Sequence, residues 1–298
     1  MAVDKIPNYN RIIDLTLIST NGKRIQVPQG GCPRRGRKPS IEINASYAAN
    51  NTLMPFNIKI KNLYLDLIPV QYARVEMKVG YENNNIDMAG SILSIYQESP
   101  GPEGSTIIQC EMGDFQTWLD AAVQLNFEAK TPLEKVLEEI KGKMGATSVV
   151  IKPSAKALTL ETPFPFDGTA RGALAELEKL FQEEKLHVFL RNETLCAICY
   201  TKNDFINSHK LEYMSAPPQP NAGTSEATAY TTVTAPWLPQ LNIGDRLEVP
   251  QKTYVRYKTT VNASAKATQF IQIYSMSIHF GTTGGVNSMT VQGFNVKE

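Results

Sequence analysis

Residues 131–145 read Thr-Pro-Leu-Glu-Lys-Val-Leu-Glu-Glu-Ile-Lys-Gly-Lys-Met-Gly, and they break the pattern of the chain on either side. Leu133, Val136, Leu137, Ile140 and Met144 recur at intervals of three and four, which is one face of a helix. Thr131-Pro132-Leu133-Glu134 has the form of a capping box with proline at the first helical position. Gly145 can end the helix in the left-handed conformation. A second helix is expected after Asp167-Gly168-Thr169, with the stripe Ala170, Ala173, Leu174, Leu177, Leu180 and Phe181. Ser148 to Lys152 reads as a strand between the helices. Leu186 to Leu190 and Thr194 to Tyr200 read as a hairpin after them. Phe115, Trp118, Leu119 and Ala122 suit a helix at the start. The sum is a small α+β unit over residues 115–205.

Outward from this unit the period falls to two. Ile41, Ile43, Ala45 and Tyr47 alternate with Glu42, Asn44 and Ser46. Phe56, Ile58 and Ile60 alternate with Asn57, Lys59 and Lys61, and Val75, Met77 and Val79 with Arg74, Glu76 and Lys78. Each run predicts a strand with one buried and one wet face. Turn chemistry separates them: Asn21-Gly22, Gly30-Gly31, Asn50-Asn51, Asn83 to Asn85, and Pro100 to Gly104. Beyond the unit, Pro217 to Thr234 reads as a polar loop or linker. Strands are then expected at Asp245 to Val249, Tyr254 to Val261, Phe270 to Phe280 and Ser288 to Phe294. The expected fold is mainly β with an α+β insertion: two β-barrel-like domains, 1–114 and 206–298, flanking an α+β domain, 115–205.

Composition narrows the function. Of 298 residues, 30 are Lys or Arg and 29 are Asp or Glu, a net charge of +1. That excludes an acidic solvating chain and gives no overall pull toward nucleic acid or anionic lipid. Met1 to Asn10 has no apolar segment behind it, so no signal peptide is expected. No run of about 18 apolar residues occurs, so no membrane anchor is expected either. Synthesis in the cytosol follows. Of the four cysteines, Cys32, Cys110, Cys196 and Cys199, the last two fall on a predicted strand. There, residues three apart point to opposite faces and cannot converge on one metal. Reduced structural thiols are expected.

The search for chemistry returns little. His187, His209 and His279 are the three histidines, and no nucleophile motif, zinc motif or phosphate loop accompanies them. Glu138-Glu139 and Glu183-Glu184 lie on exposed helical faces as solvated charge. The expectation is a protein without catalytic, cofactor or metal residues, not an enzyme. One cluster stands out: Arg34, Arg35, Arg37 and Lys38 within a loop rich in glycine and proline. It reads as a partner or inter-subunit contact, or as a solvated hairpin loop. No aromatic residues interleave it, which argues against specific nucleic-acid recognition.

The serial order of these pieces resembles the tail-hub family of long-tailed phages and contractile injection machines. Pro55 to Leu63 is similar to its strand ending in Asn-Leu. Val75 to Tyr81, then Ala89-Gly90-Ser91-Ile92, resembles its next pair of strands. Met112-Gly113-Asp114-Phe115 stands where such chains leave the first barrel. Thr131-Pro132-Leu133 with Val136-Leu137, and Ala173-Leu174 with Leu177, look like the helices of the inserted domain. Leu241-Asn242-Ile243-Gly244-Asp245-Arg246-Leu247 resembles the approach to the second barrel. The resemblance implies two barrels per chain in a homotrimeric ring, joining the six-fold tail tube or a distal tail protein to a three-fold spike. It implies a place in the virion tail, assembled in the bacterial cytoplasm, and no cofactor. The alternative is a β-rich carbohydrate-binding or adhesion protein of a tail tip. That reading needs exposed aromatics, whereas Trp118 reads as core and Trp237 as a loop anchor. A tail-tip hydrolase is disfavoured by the motif search.

Overall fold

A computed structural model describes residues 11–27, 40–48, 55–61, 72–82, 84–98, 104–112, 115–191, 194–200, 204–211, 219–221, 230–235, 237–250, 255–256, 259–260, 268–282 and 287–296. The first β region supplies β1 (Arg11–Ser19), β2 (Arg24–Val27), β3 (Ser40–Ala48), β4 (Pro55–Lys61), β5 (Tyr72–Tyr81), β6 (Asn84–Gln97) and β7 (Ser105–Met112). Period-two patterning does what it should. Ile41, Ile43 and Ala45, then Phe56, Ile58 and Ile60, then Val75, Met77 and Val79 are buried. Asn44 and Asn57 on the same strands face water.

The inserted region holds α1 (Phe115–Leu119), β8 (Ala122–Phe127), α2 (Leu133–Met144), β9 (Ser148–Ile151), α3 (Pro153–Lys156), β10 (Phe164–Thr169), α4 (Ala170–Leu180), β11 (Leu186–Arg191) and β12 (Thr194–Cys199). All five apolar residues of the α2 stripe are buried, and Gly145 ends the helix at φ 83° with its N–H on the Lys141 carbonyl. The start differs from the capping-box expectation. Pro132 is the cap and gives no side-chain bond. The Thr131 hydroxyl instead donates backward to the Glu128 carbonyl at 2.7 Å, and Glu134 pairs with Lys156 at 2.9 Å. In α4 the stripe is buried at Ala170, Ala173, Leu174 and Leu177 and again at Phe181 just past its end, but Leu180 is 49% exposed. The cap of α4 is Thr169, whose Oγ1 accepts from the Gly172 N–H at 3.2 Å.

The last region adds β13 (Ser208–Lys210), β14 (Gln219–Asn221), β15 (Tyr230–Ala235), β16 (Arg246–Pro250), β17 (Val255–Arg256), β18 (Thr259–Thr260), β19 (Thr268–Gly281) and β20 (Ser288–Val296). Residues 219–221 and 230–234 thus belong to strands rather than the expected linker, and β14 pairs with β15. β15 pairs with β20 over six residues, and Thr231, Val233 and Ala235 on it are buried.

Both β regions share one sheet, in the order β14-β15-β20-β19-β3-β4-β7-β6-β5-β1-β2, with β16 on β19 and β13 on β16. The seam is β3 against β19, antiparallel, from Ala48 opposite Ser275 to Glu42 opposite Gly281. Among the described strands the path runs open from β2 to β14. Beneath it lies one hydrophobic cluster drawn from both regions, Ile13 to Cys110 and Leu211 to Val291. A second cluster fills the inserted region and includes Ile243 from the last region. On the solvent side, Ser94, Gln109, Asn57, Asn44, His279 and Ser288 align as one cross-strand row that crosses the seam. Within it Ser94 donates to Gln109 at 2.7 Å, and His279 Nδ1 lies 2.7 Å from Asn44 Oδ1. The mainly β fold with its α+β insertion is therefore the architecture of the chain.

Candidate functional site

Asn242-Ile243-Gly244-Asp245 forms the tight turn that leads into β16. The Asp245 N–H bonds to the Asn242 carbonyl at 3.2 Å. The Asn242 N–H returns a bond to Asp245 Oδ2 at 3.0 Å, and Asn242 Oδ1 accepts from the Ile243 N–H at 2.9 Å. Gly244 sits at φ +80°, and a Cβ there would lie 2.7 Å from the Phe189 ring. Glycine is needed twice over, for the backbone conformation and for the close approach. Ile243, 2% exposed, reaches into the core of the inserted region.

Asp245 is fully buried, and its carboxylate gathers donors from three parts of the chain. Arg191 Nη1 donates at 2.7 Å and Nη2 at 3.4 Å from the end of β11. The Asn207 N–H donates at 3.1 Å, and His209 Nε2 on β13 lies 3.2 Å away. Arg191 also donates to the Ile243 carbonyl at 3.3 Å. A buried carboxylate is tolerable only when paired and saturated in this manner. The arrangement clamps the inserted region to the last β region.

An aromatic cluster completes the junction. His187 on β11 meets Tyr200 edge-on at 4.7 Å and Tyr274 of β19 at 5.7 Å, and stacks on Phe294 of β20 at 6.5 Å. The Tyr200 hydroxyl donates to the Ile273 carbonyl at 3.1 Å. Glu178 on α4 accepts from the Val188 N–H at 2.8 Å. Burial pushes its carboxyl up to about 7, against the pull of that hydrogen bond. On the other side of the inserted region Glu111, at the end of β7, is 3% exposed. Burial raises its carboxyl too, opposed by the charge of Arg171 and reinforced by Asp120.

Trp237 is buried; its Nε1 donates to the Asn84 carbonyl at 2.9 Å and its ring tilts over Phe280 at 4.7 Å. It fastens the last region to the β5–β6 hairpin. Cys110, Cys196 and Cys199 are buried and not disulfide-bonded. Burial pushes Cys196 up to about 11, which makes it inert as a nucleophile. Arg34, Arg35, Arg37 and Lys38 lie outside the described residues, as does Cys32. His279 faces the wet side, as expected. Among the described residues no group of three or more His, Cys, Asp or Glu could hold a metal ion, and no helix is long and apolar enough to cross a membrane. Sequence reading placed Asp245 in a motif but missed its partners Arg191 and His209. The available signal was an Asn-x-Gly-Asp turn ahead of a strand, which marks an aspartate aimed inward.

No protein-family model matches the sequence, and no curated protein matches it. Solved structures do match over nearly the full length. The 43 kDa tail protein of prophage MuSo2 from Shewanella oneidensis aligns with a TM-score of 0.58 at 11% identity, covering 96% of this chain and 97% of that one. The tail protein from Neisseria meningitidis MC58 aligns at 0.54 and 10% identity, covering 96% of each chain. An E. coli component of the type VI secretion system, described as structurally similar to T4 bacteriophage tail proteins gp27 and gp5, aligns at 0.57 and 10% identity over 89% of this chain and 76% of that one. The chain has the fold of these tail proteins.

Proposed function

We propose that this chain is a structural hub protein of a phage tail or related injection machine. Three copies close a ring that joins a six-fold tail tube, or a distal tail protein, to a three-fold spike. The role is architectural rather than catalytic. The observation that carries the reading is the β3–β19 seam. It fuses two β regions into one sheet within each chain, so three chains present six β regions around an axis. Heterologous contacts of this kind close into rings when the rotation permits. The full-length match to tail proteins of similar size supports it. The adhesin alternative loses its footing because Trp237 is buried and Trp118 packs partly buried against the inserted core.

The domain division 1–114, 115–205 and 206–298 belongs to the same proposal; the separate core of the inserted region supports its two boundaries, while the flanking β regions share one sheet and one core. Arg34, Arg35, Arg37 and Lys38 are assigned to the seam between copies or to the tube-facing side. Native mass measurement, alone and with a candidate trimeric spike, tests the ring. A trimer in either condition is the expected result, and a monomer in both or a two-fold dimer overturns it. Arg35→Glu with Arg37→Glu should weaken association at low salt, with high salt narrowing the difference from wild type, since screening acts over about 10 Å at 0.1 M.

A further inference from the structure

The aromatic cluster between the inserted region and the last strands holds two titratable groups that the ring does not require. Glu178 comes from α4, His187 from β11, Tyr200 from the turn after β12, Tyr274 from β19 and Phe294 from β20. His187 Nδ1 lies 3.9 Å from Glu178 Oε1, and the two side chains are 24% and 22% exposed. We infer that Glu178 and His187 form a proton-sensitive joint between the inserted region and the last strands: the pair carries one proton when the contact is tight, and the contact loosens when that proton leaves.

The geometry carries the argument. With one proton, on either Glu178 or His187, the pair is a neutral acid beside a neutral imidazole, or a carboxylate beside an imidazolium. Either form has no net charge. Without the proton, a carboxylate is left largely sheltered at the joint, accepting from the Val188 N–H. The titratable groups facing it from the packed elements are the hydroxyls of Tyr200 and Tyr274. Both are themselves pushed up, Tyr200 by burial first, then by Tyr274 and then by Glu178, and Tyr274 by burial first and then by Glu178. On its own helix, Glu176 and Lys179 pair with each other at 3.7 Å. The sign follows from linkage. Glu178 stands near 7 in the folded chain against an ordinary 4.5, so the folded state binds the extra proton between those values. Its contribution is full below the lower value and is lost as pH rises through the upper one.

Glu178→Gln keeps an oxygen for the Val188 N–H and removes the charge. Hydrogen exchange of residues 186–191 and 272–276, corrected for intrinsic rates, should lose roughly tenfold in protection in wild type between pH about 5.5 and about 8.5. In Glu178→Gln the same amides should hold steady. The imidazole titration of His187, followed by NMR in both proteins, should move to lower pH once the carboxylate is gone. Parallel exchange profiles in the two proteins would overturn the proposal, and so would an unmoved His187 midpoint. Because both readouts use the free chain, they fail or succeed independently of ring formation.

Discussion

At the scale of single residues the strongest dependence falls on Asp245. Removing its carboxylate leaves Arg191, 14% exposed, buried without its charge partner. Asp245→Ala should therefore cost about 3–5 kcal/mol, checked by urea unfolding monitored by tryptophan fluorescence. Gly90 is the second such point. A Cβ there would fall 2.6 Å from Phe56 and closer still to the Glu111 carbonyl. Gly90→Ala should cost about 1–3 kcal/mol, because neither backbone nor a fully buried ring can yield; thermal melting checks it. How much of this was legible in the sequence depends on separation. The Asn-Ile-Gly-Asp turn is local and could be quoted as a motif. Its partner Arg191 lies 54 positions away in what reads as an ordinary hairpin end, so pairing them required the fold.

At the scale of elements, legibility followed the strength of the local period. The α2 stripe was readable because its five apolar residues recur without interruption. Leu137, fully buried at its centre, is the place to test it. Leu137→Asp should cost on the order of 3 kcal/mol or more, and an unchanged melting temperature would contradict the burial. Leu180, at the exposed end of α4, makes the opposite forecast. Leu180→Lys should change stability by no more than about 0.5 kcal/mol, whereas Leu177→Ala should cost about 2–5 kcal/mol. Among the strands that escaped the sequence reading, three did so for identifiable reasons. β8 alternates Val123, Leu125 and Phe127 inward, but an apparent helical spacing from Phe115 to Ala122 overlapped its start. β10 reads Phe-Pro-Phe-Asp-Gly-Thr, whose proline and glycine signal a turn. β15 buries Thr231 beside Val233, and its threonines passed for loop composition. Wherever turn-forming residues sit in a strand, tertiary pairing overrode local propensity.

At the scale of the whole molecule, the sheet order is what no local reading could supply. Period-two runs announced strands on both sides of the inserted region, yet nothing in either run says that β3 accepts β19 rather than another edge. The consequence for dissection is direct. An isolated fragment of residues 1–114 would leave β3 paired with β4 alone, without β19, and uncover the edge at Ala45 and Ile43, which lie opposite Ile278 and Phe280 in the whole chain. Size-exclusion chromatography of that fragment should find aggregates rather than a monomer, since an unpaired apolar edge strand recruits other chains. A stable, monomeric fragment with native-like circular dichroism would contradict the joint sheet.

The seam also sets a clock. His279 meets Asn44 across 235 positions of chain. During synthesis at about 5–20 residues per second, β3 waits roughly 10–50 s for its neighbour to emerge. Over that interval the nascent chain carries an open edge with a hydrophobic face beneath it. Contacts this distant are paid in loop-closure entropy before they return anything, so the two halves should join late and slowly. Dilution from denaturant ought to give a slow final phase in which the seam zips. Slowing translation between β7 and β19 should lower the soluble yield, because a nascent chain is most exposed to its neighbours while half of its sheet is still unmade.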